Sequence, residues 1–93
     1  MPSYERTRRF DRDWKALAEA GDRFRTAFSR FDADLAAGPF RRGLRVKRVQ
    51  GTDSIFEMTW APDGRATFEY GSPDSEGAHV IWRRIGRDIF DRP

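Results

Sequence analysis

The feature that most constrains this chain is a change of hydrophobic period near residue 40. From Asp22 to Ala37 the apolar residues Phe24, Ala27, Phe28, Phe31 and Leu35 recur at helical spacing, and Gly38-Pro39 ends the pattern. Beyond Gly43 apolar and polar residues alternate, which is the period of a half-buried strand. Four extended runs follow: Leu44 to Val49, Ile55 to Trp60, Arg65 to Tyr70 and His79 to Ile85. Ala61-Pro62-Asp63-Gly64 marks a hairpin turn, because proline presets one turn dihedral and glycine accepts a positive one. An earlier helix, over 12–19, carries Trp14, Leu17 and Ala18 on one stripe, with Asp11 or Asp13 as its cap. Residues 1 to 10 offer at most a short extended segment. The expectation is an α+β fold in which two N-terminal helices pack on one face of a mostly antiparallel sheet of four to five strands.

A chain of 93 residues supports one hydrophobic core, so a single domain over 1–93 is expected. Eight Phe, three Trp and two Tyr make that core aromatic. The absence of cysteine and the single histidine exclude disulfides, thiolate metal sites and an ordinary zinc site, and no cofactor is expected. No apolar stretch is long enough to span a bilayer and the N-terminus lacks the apolar core of a signal peptide, so a soluble, cytoplasmic protein is expected.

Alternation turns Leu44, Val46, Phe56, Met58, Trp60, Phe68 and Tyr70 toward the helices, and Phe28, Phe31, Phe56 and Phe68 should be buried. The second face then carries Arg45, Lys47, Glu57, Thr59, Arg65, Thr67 and Glu69. Two readings of that face stay open. One is a solvated surface with cross-strand ion pairs such as Lys47 with Glu57. The other is a polyanion-binding surface. Arg41, Arg42, Arg45, Lys47 and Arg48 place five cations in eight residues, with no acidic residue between Asp34 and Asp53. Arg83, Arg84 and Arg87 form a second group, and Trp82 is either a packing residue or a platform for a base. Arginine supplies 16 of the 18 basic side chains, a bias that suits phosphate recognition and equally follows from a GC-rich genome.

Several stretches resemble the RelE/ParE family of bacterial toxins. Leu44-Arg45-Val46-Lys47 is similar to the family's first long strand. Ile55-Phe56-Glu57-Met58 is similar to its Tyr-Glu-Leu-Arg strand, and Arg65-Ala66-Thr67-Phe68 to its Arg-Val-Leu-Tyr strand. The entry Phe10-Asp11-Arg12-Asp13-Trp14-Lys15-Ala16-Leu17 and the ending Arg84-Ile85-Gly86-Arg87-Asp88-Ile89-Phe90 resemble the family as well. The resemblance implies a toxin held inactive by a cognate antitoxin, aimed at mRNA in the ribosomal A site in the RelE branch and at DNA gyrase in the ParE branch. The ending is closer to the mRNA-cleaving branch, some of whose members carry a His just after that Gly. Here Arg87 follows Gly86 and there is no such His.

Metal-free RNA cleavage needs a base for the 2′-hydroxyl, charge stabilisation at phosphorus and an acid for the leaving 5′-oxygen. Lys47, crowded by cations, or Glu57 is the candidate base, and Arg45, Lys47, Arg65, Arg84 and Arg87 are suited to stabilise charge, with Lys47, Arg65 and Arg87 foremost. Arg41, Arg42, Arg45, Arg48, Trp82, Arg84 and Phe90 are the candidate RNA contacts. His79 begins the last strand while Gly86 ends it, roughly 20 Å away at about 3.3 Å per residue, and is expected to be a surface or strand-edge residue. The expected function is translation inhibition by ribosome-dependent, metal-independent mRNA cleavage. The alternatives are a gyrase-binding toxin, a catalytically weak relative that acts by binding, or a non-toxic domain that keeps the fold for binding.

Overall fold

The computed structural model describes residues 1–73, 77–87, 89 and 93. In chain order the elements are β1 (Ser3–Arg6), α1 (Arg8–Leu17), a 3₁₀ turn (Ala18–Ala20), α2 (Gly21–Ala37), a second 3₁₀ turn (Arg42–Leu44), β2 (Lys47–Arg48), β3 (Phe56–Ala61), β4 (Gly64–Tyr70) and β5 (His79–Gly86). They build one sheet in the order β1-β5-β4-β3-β2, with the helical elements on one face.

The α+β class stands, with two corrections. The sheet is mixed: β1 runs parallel to β5, with Ser3 opposite His79 and Arg6 opposite Trp82, while the other three pairings are antiparallel. The second correction concerns the helices. There is one long helix, α2, and the shorter α1 reaches it through the 3₁₀ turn, which Ala18 enters at φ 52°. Thr7, not Asp11 or Asp13, caps α1, its hydroxyl accepting from the Phe10 N–H at 3.1 Å.

α2 ends as its sequence dictates. The Gly38 N–H reaches the Asp34 carbonyl at 2.8 Å, and Gly38 adopts φ 142°, a conformation closed to most side chains. Its buried stripe is Gly21, Phe24, Ala27 and Phe31, laid against β3 and the centre of the sheet. Phe31 and Phe68 are fully buried as expected, whereas Phe28 and Phe56 are half-buried at the margin of the cluster. Tyr70, expected to face inward, is 44% exposed at the end of β4.

The run expected from Leu44 to Val49 shrinks to the two residues of β2. Leu44 ends a 3₁₀ turn and Arg45 takes the left-handed conformation at φ 50°, so no regular strand forms before Lys47. The hairpin at Pro62-Asp63 joins β3 to β4 as read from the sequence. Gly64 is required there, since a Cβ would lie 2.6–2.8 Å from the Trp60 indole ring.

The second sheet face is less open than alternation suggests. Thr67 is fully buried, with its hydroxyl donating to the Pro93 carbonyl at 2.9 Å, and Ile89 is buried beside Gly86. The Pro93 carbonyl therefore covers part of this face at Thr67. Among the described residues no helix is long and apolar enough to cross a membrane.

Thr7 and Asp13 complete the outer edge of β5 where β1 ends. Thr7 donates its N–H to the Trp82 carbonyl and its hydroxyl to the Arg83 carbonyl, and Asp13 accepts from the Ile85 N–H at 3.1 Å and from the Arg84 guanidinium at 2.8 and 3.1 Å. Burial pulls the Asp13 carboxyl upward, but the hydrogen bonds from Arg84 and the Ile85 N–H, with the charges of Arg84 and Arg9, outweigh it and hold the group below its ordinary value. Its contribution to stability is complete above the unfolded-state pKa of about 3.9 and is lost as pH falls through the lower folded value. We expect Asp13→Asn to lower unfolding free energy by about 2 kcal/mol at pH 7. In urea titrations the gap between the two proteins should shrink as pH falls below about 3.9 and close only once pH is below the lowered folded-state value; an equal gap at all pH values would show that the charge is not what matters.

Candidate nucleic-acid interface

Register brings the candidate residues together before any side chain is considered. Lys47 faces Glu57 across β2 and β3, Glu57 faces Thr67 across β3 and β4, and Thr67 faces Arg84 across β4 and β5. This row crosses the second face of the sheet. Arg65 stands two residues from Thr67 on β4, opposite both Thr59 and Gly86.

At the β2 end of the row lies an open cleft of about 580 Å³, lined by Lys47, Arg48, Val49, Gln50, Glu57 and Arg65. Glu57 is buried, with 8% of its side chain exposed, and Lys47 stands over it with Nζ 3.7 Å from Oε1. The cross-strand pair named from the sequence is thus present, but its carboxylate is a floor rather than a surface group. Arg65 is half-buried and its Nη1 lies 3.0 Å from the Gly64 carbonyl and 3.4 Å from those of Ala61 and Pro62, which anchors it at the hairpin. Arg87 is exposed at the same hairpin, its Nε 3.5 Å from Asp63.

The two basic groups of the sequence have different fates. In the first, Arg41 is held by Asp34, donating from Nε at 2.8 Å, from Nη2 at 2.9 Å and from its backbone N–H at 2.9 Å. Those hydrogen bonds, the side-chain ones foremost, bring the Asp34 carboxyl down to about 2. Arg42, Arg45 and Arg48 are exposed, and no acidic side chain among the described residues pairs with them, so with Lys47 they form a basic ridge along the β2 edge. In the second group every cation is matched: Arg83 with Glu69 at 3.3 Å, Arg84 with Asp13, and Arg87 with Asp63. The expectation that both groups line one unneutralised surface is corrected accordingly. Arg84 serves the α1–β5 junction.

Trp82 is corrected as well. It is 3% exposed and its ring is surrounded by those of Phe10, Phe24, Phe28, Phe31 and Phe68 at 5.0–6.2 Å, so no face is open to a base. Phe90 lies outside the described residues. His79 sits at the opposite end of β5 from Gly86, with Nδ1 2.7 Å from the Ser3 hydroxyl and Nε2 3.5 Å from Glu5. Sequence reasoning passed over Gln50, which lines the cleft from the turn after β2, and Asp13, whose role depends on a partner 71 residues away. Among the described residues no group of three or more metal-ligating side chains is placed to hold an ion.

No protein-family model matches the chain, and no curated protein matches it in sequence. Solved structures do match in fold. YafQ from E. coli superposes over 100% of both chains with a TM-score of 0.72 at 10% identity. YafQ in the DinJ-YafQ toxin-antitoxin complex from E. coli gives 0.68 at 11%, over 92% of this chain and 91% of that one. A metal-bound toxin from Helicobacter pylori gives 0.70 at 19% identity, over 95% of this chain and 96% of that one. A YoeB/ParE toxin from Agrobacterium tumefaciens gives 0.65 at 10%, over 89% and 94%. The chain has the fold of these toxins, the fold that the resemblance to the RelE/ParE family implied.

The burial of Trp82 sets an expected outcome. Trp82→Ala should destabilise the protein by about 3–5 kcal/mol, as for other large aromatic truncations in a core. Arg48→Ala should leave the unfolding midpoint unchanged and weaken binding of single-stranded RNA. Thermal unfolding and fluorescence anisotropy on the same samples separate the two effects; a fully stable Trp82→Ala protein with lowered RNA affinity would restore the stacking role.

Proposed function

We propose that this chain is the toxin of a toxin–antitoxin pair and inhibits translation by ribosome-dependent, metal-independent cleavage of mRNA in the A site. The observation that carries the proposal is the Lys47–Glu57 pair. A buried carboxylate beneath an exposed ammonium, in a cleft whose other charged walls are Arg48 and Arg65, supplies all three functions that the reaction needs. Glu57 takes the proton of the 2′-hydroxyl, and the freed oxygen attacks phosphorus. Arg65 and Arg48 stabilise the charge on the non-bridging oxygens, with Arg87 at the hairpin end of the same face. Lys47 gives a proton to the departing 5′-oxygen, leaving a 2′,3′-cyclic phosphate and a 5′-hydroxyl. Arginine cannot serve as acid or base, since it keeps its proton in practice. The pair therefore takes the place of the family's histidine.

The basic ridge of Arg42, Arg45 and Arg48 suits the phosphates flanking the scissile bond and, in the silenced state, an acidic surface of the cognate antitoxin. The DinJ-YafQ complex supports an antitoxin partner for a protein of this fold. A second reading, a toxin that acts by binding alone, is favoured by the pairing of Arg83, Arg84 and Arg87 with acidic residues, which leaves no cation of that group unmatched among the described residues.

Replacing Lys47, Glu57 or Arg65 by alanine should slow ribosome-dependent cleavage by about 100-fold or more, the scale for losing one preorganised group at a transition state. His79→Ala should have almost no effect. Primer extension on mRNA from ribosomes incubated with each folded variant reads the cleavage. If wild type arrests growth while every message stays intact, the nuclease reading gives way to binding, and DNA supercoiling assays then test gyrase.

A further inference from the structure

A second pocket lies on the helix side of the sheet, away from the proposed cleavage cleft. It holds about 530 Å³ between α2, the loop after it and the β3–β4 hairpin. Its floor is apolar: Ala27, Leu44 and Trp60 are all buried there, with Ala61 and Pro62 beside them. Its rim is cationic. Arg23 and Arg30 project from α2 seven residues apart, hence on one face, and Arg41 closes the loop side.

Two of the three rim arginines are not neutralised from within: among the described residues no acidic side chain lines the pocket, and Arg23 and Arg30 have no ion-pair or hydrogen-bond partner. Arg41 is already held by Asp34. A further observation concerns Trp60. Its indole N–H is the one buried side-chain polar group among the described residues without a hydrogen-bond partner, and Trp60 lines this pocket. Native proteins rarely leave a buried donor without an acceptor.

An apolar floor under an arginine rim matches a side chain with methylenes at its base and a carboxylate at its tip. A nucleic-acid strand fits less well. Single strands bind where aromatic faces are open for stacking, and Trp60 is 7% exposed with its ring covered by Gly64. We infer that the pocket between α2 and the β3–β4 hairpin is a docking site for an acidic segment of a partner protein, which places a Glu or Asp side chain between Arg23 and Arg30. This site is distinct from the cleft and does not depend on whether the chain cleaves RNA.

The test uses a fluorescein-labelled dodecapeptide of alternating Glu and Leu, its Gln-for-Glu counterpart, and a single-stranded RNA dodecamer, each titrated against the full chain. The acidic peptide should bind saturably and the Gln peptide at least about tenfold more weakly. The double variant Arg23→Glu/Arg30→Glu should lose the acidic peptide by about tenfold or more while RNA affinity changes less than about twofold. The milder pair Arg23→Gln/Arg30→Gln should give an intermediate loss, which keeps the result readable if charge reversal disturbs folding by circular dichroism. In a ¹H–¹⁵N spectrum the indole resonance removed by Trp60→Phe should move on adding the acidic peptide. No saturable binding at millimolar peptide, peptide binding indifferent to both arginines, or an unmoved Trp60 resonance would each overturn the inference. A larger loss for RNA than for peptide would reassign the pocket to nucleic acid.

Discussion

The Trp82 ring is the point on which the rest of the structure turns. It lies on β5, the strand that joins β1 to the antiparallel part of the sheet, and packs against Phe10 of α1, Phe24, Phe28 and Phe31 of α2, and Phe68 of β4. Its contacts with Phe24, Phe28 and Phe68 are edge-to-face, a geometry that adds a directional preference to the burial of large apolar area, so α2 is fixed in orientation as well as held in place. Because α1 and α2 are seated on one side of β5, the row Lys47, Glu57, Thr67 is left to the other. The position of the cleft is thus a consequence of aromatic packing on the opposite face.

That division was legible in the sequence wherever period alone decides it. The α2 stripe, the Gly38-Pro39 stop, the Pro62-Asp63 hairpin and the cross-strand meeting of Lys47 with Glu57 all follow from spacing and turn chemistry. What escaped was set by long-range partners. β1 has only four residues and gains its place by pairing parallel to a strand 76 residues later, as the Ser3 and His79 contact records. Nothing local in Ser3–Arg6 announces that pairing. Likewise Asp13 reads as a helix cap until Arg84 and the Ile85 N–H are brought to it.

The second face illustrates the limit of alternation. The period assigns Glu57 and Thr67 correctly to one side, but it cannot say whether that side is wet. Thr67 is dry where the Pro93 carbonyl returns to its hydroxyl, Ile89 is buried beside Gly86 on the next strand, and Arg45 departs from the strand pattern because the chain takes a left-handed turn there. A lone apolar residue such as Ile89 carries no periodic signal, so its burial beside Gly86 appears only once the strands are placed.

Charge obeys the same logic, and here it bears most directly on function. A count of arginines makes Arg83, Arg84 and Arg87 look equivalent to Arg42, Arg45 and Arg48. Folding removes the equivalence, because Glu69, Asp13 and Asp63 converge on the first three while no acidic side chain among the described residues converges on the second three. An exposed ion pair contributes little to stability, but it removes a cation from the field that a polyanion meets, since the attraction of each arginine is offset within a few ångströms. The surface a phosphate chain would approach is therefore the β2 edge and not the β5 end. It is the edge at which Lys47 stands over Glu57, so the groups that would attract a polyanion and the pair that could move its protons share one side of the sheet.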